Sequence, residues 1–281
     1  MYLARNNSEL RGFLRALRNG NDSVGFVPTM GALHEGHMAL IERCAQENDV
    51  CIASVFVNPT QFNDEGDLKS YPRQTDKDFE ILKKAGCQLM FAPQVEDIYP
   101  NGPEVSNVDL DGIENIIEGK YRPGHFRGVA TVIDRFFNIL RPDRAYFGFK
   151  DYQQVVVVEK LVSKRPYTIE IVACDTVRDE NGLALSSRNK LLNDQEKKEA
   201  SIIYKTLLSI KDNLYNKSIS ELLAIVEQNF ANSNLELEFI NIIDGNSFEL
   251  VDDVSKHDKI VASIAAYQNG VRLIDNLLLK P

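Results

Sequence analysis

The stretch Val24-Gly25-Phe26-Val27-Pro28-Thr29-Met30-Gly31-Ala32-Leu33-His34-Glu35-Gly36-His37 decides the fold. Val24–Val27 is a short apolar run of the kind that forms a buried strand. Beyond it, Met38, Ile41, Cys44 and Ala45 recur at helical spacing. A strand, a glycine-containing turn and a helix start therefore carry two imidazoles in an HxGH pattern. Helix N-termini present N–H groups and the positive dipole end, a combination that suits phosphate. Gly31 and Gly36 permit close backbone approach, and imidazoles can donate to charge growing on a phosphate. A zinc reading is weaker, because two histidines have no third ligand nearby and no cysteine pair has CxxC spacing.

Working outward, segments alternate between strand and helix patterns up to about residue 176. Expected strands are Val24–Val27, Val50–Val57, Leu89–Ala92, Arg144–Phe147 and Thr168–Ala173, and expected helices are His37–Glu47, Asp76–Ala85, Val129–Leu140 and Tyr152–Ser163. Thr75-x-x-Asp78 resembles a capping box, and Gly86 supplies a stop. The run Val155–Val158 favours a strand on propensity, but the need for a crossover makes it a helix. Such alternation implies right-handed βαβ units, a mostly parallel sheet and a ligand crevice at the strand carboxyl ends. After Val177 the texture changes. Asn193-x-x-Glu196 opens a long helix to about Leu214, and Ser218-x-x-Glu221 opens another. Strands follow at Leu237–Ile243, Ile260–Ala266 and Val271–Asp275, with Gln268-Asn269-Gly270 as a hairpin turn. The expected architecture is α/β: a Rossmann-like domain over 1–176 and a smaller α+β domain over 177–281.

Composition limits the function. The chain has 281 residues, 43% of them hydrophobic, and a net charge of −9, with a pI near 5.1. That balance argues against broad nucleic-acid or anionic-membrane binding. Cys44, Cys51, Cys87 and Cys174 are scattered and read as buried thiols of a reducing compartment. Met1–Gly20 is charged and helix-like, without the apolar centre of a signal peptide, and no stretch approaches a bilayer-spanning length. A cytoplasmic protein is expected.

Four further segments carry chemistry. Val57-Asn58-Pro59-Thr60-Gln61-Phe62 ends a strand with two amides suited to fixing hydroxyls. Residues 119–128, GKYRPGHFRG, form a basic, glycine-rich loop. Phe147-Gly148-Phe149-Lys150-Asp151-Tyr152-Gln153-Gln154 puts a lysine and two glutamines at a strand-to-helix turn. Leu185-Ser186-Ser187-Arg188-Asn189 offers hydroxyls and a guanidinium for a polyphosphate. Singly, each has an ordinary reading as turn, solvated surface or linker; together with HxGH they do not.

With these segments in place, the chain resembles the pantothenate synthetase (pantoate–β-alanine ligase) family of the HxGH nucleotidyltransferase superfamily. The likeness runs through PTMGALHEGH, VFVNPTQF, EGKYRPGHFRGV, FNILRPDRAYFGFKDYQQ, LALSSRN and RLIDN, in order along nearly the whole chain. Departures are small: Phe149 stands where the family often has Glu, and Leu183-Ala184-Leu185 varies a neighbouring pattern. The resemblance implies that ATP and (R)-pantoate give a pantoyl adenylate and pyrophosphate. β-Alanine then attacks the adenylate to yield pantothenate and AMP. Mg2+ is implied with the ATP, and a homodimer is implied as the assembly.

The implied catalytic residues are His37, His34, Lys150 and Arg188. The implied nucleotide site comprises Met30, Gly31, Ala32, Leu33, His34, Glu35, Gly36 and His37, then Gly148, Phe149, Lys150 and Asp151, then Val177, Leu185, Ser186, Ser187 and Arg188. Gln61, Gln154 and Asn58 are implied for pantoate and β-alanine, with Glu118 and Arg122 nearby. Neutral amides suit the acid, since a carboxylate clamped by arginine is a weaker nucleophile. The domain after Val177 looks like a lid over ATP. Two alternatives remain at this point. One is an adenylyltransferase that stops at the adenylated product, and the other is a non-catalytic nucleotide- or RNA-binding relative.

Overall fold

The computed structural model describes residues 1–62 and 65–281. In chain order the elements are β1 (Tyr2–Ala4), α1 (Asn7–Leu17), β2 (Val24–Thr29), α2 (Glu35–Glu47), β3 (Val50–Val55), α3 (Glu65–Ser70), α4 (Thr75–Lys84), β4 (Leu89–Phe91) and α5 (Val95–Ile98). They continue with α6 (Glu118–Tyr121), α7 (His125–Leu140), β5 (Arg144–Gly148), α8 (Tyr152–Ser163) and β6 (Glu170–Cys174). The last are α9 (Asp194–Ala200), α10 (Ile202–Asn213), α11 (Ile219–Ala231), β7 (Leu235–Asp244), β8 (Ile260–Gln268) and β9 (Val271–Lys280). The chain forms two compact units. One is Met1–Gly148 with Gln153–Cys174; the other is Phe149–Tyr152 with Asp175–Pro281. The turn at Phe149–Tyr152 thus belongs to the second unit, although sequence order puts it before the expected boundary at 176.

The first unit is built on a parallel sheet of order β1-β4-β3-β2-β5-β6. From β2 the chain steps outward through β3 and β4, then returns to lay β5 on the other side of β2. The reversal of strand order places the expected ligand crevice at the carboxyl ends of β2 and β5. Val27, Ile41, Cys44, Cys51, Ala53, Leu82 and Met90 are buried together beneath α2 and α4. All four cysteines are buried and none forms a disulfide. Val155, Val157 and Val158 are buried on α8. A crossover between parallel β5 and β6 overrides their β propensity.

The structure corrects several local readings. Met1–Gly20 is not wholly helical: Tyr2–Ala4 pairs with Leu89–Phe91 at the sheet edge. Only then does Asn6 cap α1, accepting from the Ser8 and Glu9 N–H groups. Three residues carry no periodicity, so β1 exists only through β4. Thr75-x-x-Asp78 is not a capping box, since Gln74 occupies the N-cap without a side-chain bond and Asp78 turns inward. The 119–128 loop is instead largely helical, in α6 and the start of α7.

The second unit is an antiparallel sheet, β7-β8-β9. Residues of α10 and α11 (Leu207, Ile210, Leu222, Val226) share a core with Ile260, Ala262, Ile264 and Ala266 of β8. Both capping boxes are present, at Asn193/Glu196 and Ser218/Glu221. The expected long helix breaks at Ser201, whose hydroxyl bonds the Lys198 carbonyl at 2.6 Å, a back-bond that bends helices. The β8–β9 hairpin turns on Asn269 (φ 49°) and Gly270 (φ 76°), both left-handed, as its two-residue turn requires.

Candidate active site

The centre of the first unit is the junction of β2 and α2. After Thr29 the chain turns through Gly31 (φ 83°) and Ala32 (φ 53°). Ala32 is in a region that residues other than glycine seldom adopt. The fully buried Asp78 of α4 stabilises that turn: the N–H groups of Ala32 and Leu33 donate to its carboxylate at 3.1 and 3.0 Å. The inward turn of Asp78 is therefore a long-range support for the histidine motif. A side chain at position 31 has no room, since its Cβ would lie 2.8 Å from Asp78 Oδ2.

His34 is the N-cap of α2. Its Nδ1 accepts from the Gly36 N–H at 3.2 Å, and His37 Nδ1 accepts from the His34 N–H at 3.4 Å. The two rings lie 4.1 Å apart. An imidazole whose Nδ1 accepts carries its proton on Nε2 when neutral. The capping arrangement thus makes both Nε2 atoms donors at a helix N-terminus, where anions are favoured.

Gln61 lies in the turn after β3. Its Nε2 donates to Met30 Sδ at 2.9 Å, so the amide and the histidine turn meet. Asn58 is 1% exposed. Its amide donates to Gln61 Oε1 at 3.0 Å and the Gly128 carbonyl at 3.2 Å, while its Oδ1 accepts from Tyr99 at 2.7 Å. Burial pushes the Tyr99 phenol up to about 12, so it remains a donor at neutral pH. Asn58 accordingly orients Gln61 from beneath. Gly119 and Gly128 serve packing: a Cβ there would sit 2.1 Å from the Glu114 and Thr60 carbonyl oxygens respectively. Of the paired glutamines, Gln153 is anchored by the Glu118 N–H and the carbonyls of Ile113 and Ile116. Gln154 is half-buried at the start of α8. Glu118 pairs with Arg122 at 3.1 Å. Gly148 ends β5.

In the second unit, Lys150, Ser186 and Arg188 line one cavity with Asn189 and Arg272–Ile274. Lys150 Nζ lies 3.4 Å from Asp151 Oδ1. Phe149 packs against Tyr152 at 4.8 Å. Ser186 caps the turn Ser187–Leu191 by accepting from the Arg188 N–H at 3.2 Å. Val177 and Leu185 are joined through backbone, Leu185 N–H to Val177 carbonyl at 2.9 Å, and do not line the cavity. Sequence reasoning misses Asp78 and Tyr99 as supports. Asp78 carries a signal, but a local one that reads as a cap.

A parallel sheet with a histidine-capped helix at its reversal point, joined to a smaller antiparallel unit, defines a Rossmann-like α/β protein with a C-terminal α+β domain. The chain matches the Pantoate-beta-alanine ligase family over residues 2–278 and belongs to it. It is 44% identical to the pantothenate synthetase of Cytophaga hutchinsonii, with 96% of each chain covered. The crystal structure of pantothenate synthetase from Thermus thermophilus matches with a TM-score of 0.91 and 40% identity over 100% of both chains. Pantoate-beta-alanine ligase from Francisella tularensis, complexed with beta-gamma ATP and beta-alanine, matches with a TM-score of 0.80 and 38% identity over 99% of this chain and 98% of that one.

Proposed function

We propose that this protein joins (R)-pantoate to β-alanine in two steps, through a pantoyl adenylate, releasing pyrophosphate and AMP. Joining pantoate to β-alanine is the activity of its family, and a related ligase is complexed with beta-gamma ATP and beta-alanine; the division into steps and the residue roles are our reading. The observation that carries it is the pair of Nε2–H donors, fixed by the capping geometry of His34 and His37 at the start of α2. A free carboxylate is a poor acyl donor, and adenylation gives it a leaving group. Charge grows on the α-phosphate during that step, where preorganised donors act most strongly. We assign His37 and His34 to that charge, and Lys150, Ser186, Ser187 and Arg188 to the polyphosphate. The nucleotide is further assigned to Met30–Leu33, Glu35, Gly36, Gly148, Phe149, Asp151, Val177 and Leu185. Gln61 and Gln154 receive pantoate, with Gln61 also meeting β-alanine, and Asn58 acts through Gln61.

Mg2+ enters this reading with its nucleotide. Among the described residues no group of three or more His, Cys, Asp or Glu is gathered to hold a metal, and Mg2+ is commonly held through substrate phosphates and water. It therefore belongs to the substrate, as Mg–ATP. The buried, unbridged cysteines suit a reducing, cytoplasmic setting. No helix among the described residues is long and apolar enough to cross a membrane. The homodimer implied by the family resemblance belongs to the same reading.

The test is exchange of labelled pyrophosphate into ATP with pantoate present and β-alanine absent. Exchange is expected, with AMP release only once the amine is added. Active enzyme that forms pantothenate without such exchange would refute the two-step route. An adenylyltransferase would release an adenylated acid and ignore β-alanine.

A further inference from the structure

On β9, Asp275 and Asn276 directly follow Arg272–Ile274, which line the cavity of Lys150 and Arg188. Asp275 is 1% exposed. It takes both terminal nitrogens of Arg178, at 2.5 and 3.0 Å. The Arg178 guanidinium also donates to the Gly182 carbonyl at 3.2 Å and lies 3.7 Å from the Tyr204 ring centre. A buried ion pair is poor evidence of net stabilisation, because desolvation offsets its attraction. Its geometric consequence here is specific. The Asn276 N–H donates to Asp275 Oδ1 at 2.8 Å, and Asn276 Nδ2 donates to the Lys150 carbonyl at 2.5 Å.

Lys150 lies in a three-residue 3-10 turn, Phe149–Asp151, a structure with few bonds of its own. The amide of Asn276, a residue 5% exposed, tethers that turn to β9. Lys150 then reaches the cavity it shares with Ser186 and Arg188. We propose that Asn276, set by the Asp275–Arg178 pair, is a positioning residue for Lys150, fixing its backbone so that the ammonium addresses the polyphosphate. The proposal rests on the reading of Lys150 as a phosphate-binding cation.

The test is a double-mutant cycle on the full-length enzyme. Asn276→Ala and Asn276→Asp both remove the donor and differ in packing. Each is expected to slow pantoate-dependent pyrophosphate exchange about 10- to 100-fold, the scale of a small misplacement of a catalytic group. Attack of β-alanine on the bound adenylate, followed in a single turnover, should change less than about threefold, because the phosphate-binding role concerns the first step. In a Lys150→Ala background, Asn276→Ala should add less than about twofold, since residues acting as a unit are not additive. If Asn276→Ala does not fold, Asn276→Ser takes its place in the cycle. Equal penalties in both backgrounds, equal slowing of both half-reactions, or Asn276 variants with normal exchange beside a slow Lys150→Ala overturn the proposal alone. Lys150→Ala with wild-type exchange overturns the reading of Lys150 and this proposal with it.

Discussion

Substituting Gly128 by alanine tests how the first unit holds Gln61. Gly128 lies in the first turns of α7, where alanine ordinarily improves a helix by up to about 1 kcal/mol. Here the added Cβ would stand 2.1 Å from the Thr60 carbonyl oxygen and 2.8 Å from the Gln61 Cα. Carbon contacts settle at roughly 3.5 Å or more, so the turn must retreat by about 1.4 Å. It cannot do so without loss, because Asn58 Nδ2 and Thr60 Oγ1 both donate to the Gly128 carbonyl, at 3.2 and 3.3 Å. His125 Nδ1 also contacts the Gln61 carbonyl at 2.8 Å. Overpacking of this kind costs about 1–3 kcal/mol, and a weakened buried hydrogen bond adds about 1. The net expectation is a destabilisation of roughly 1–3 kcal/mol after the helix gain. Displacing Gln61 should raise the KM for pantoate and lower kcat, leaving the KM for ATP nearly unchanged. Gly12 is the control: a Cβ there meets nothing within 4 Å, so Gly12→Ala should stabilise by up to about 1 kcal/mol. Thermal and urea unfolding, with steady-state kinetics in each substrate, decide the matter. A Gly128→Ala enzyme as stable as wild type, with unaltered pantoate kinetics, would refute the reasoning.

Three other expectations follow from the same contacts. His37→Ala should leave a folded protein with pyrophosphate exchange reduced about 10²–10³-fold, the loss typical of one preorganised donor; circular dichroism and exchange rates together check it. Asp78→Asn turns an acceptor into a donor against one of two N–H groups at 3.1 and 3.0 Å. It should cost roughly 1–3 kcal/mol in denaturant unfolding and lower exchange. Burial opposes charge on Asp244, but the N–H groups of Ser247 and Asn246 and the ring of His257 outweigh it and hold the carboxyl at about 2. A folded value below the unfolded one stabilises the native state above pH ~4, and that contribution fades as pH falls toward 2. Asp244→Asn should therefore flatten the pH dependence of stability in this window by about 1–2 kcal/mol, read by urea melts at several pH values.

Where a free energy is local, the sequence alone determined the outcome. The start of α2 after a glycine turn, the two capping boxes, the stop at Gly86 and the Asn269-Gly270 hairpin depend on residues within four positions of one another, and all are present. The alternation of apolar runs sufficed for the parallel sheet, because a strand that feeds a crossover helix has few ways to return. Ordered segments from histidine turn to SSRN sufficed for the family. Tertiary structure decided what depends on distant partners. β1 is a strand because β4 lies beside it. Asp78 faces inward because Ala32 and Leu33 supply donors 46 and 45 positions away. Asn58 supports Gln61 because Tyr99 and Gly128 close around it. Lys150 belongs to the second unit because Asn276, 126 residues later, holds its carbonyl. Each of these contacts pairs groups that water would otherwise satisfy, and it forms only once the chain between them has folded. No window of sequence contains both partners, so local pattern carries no trace of the bond.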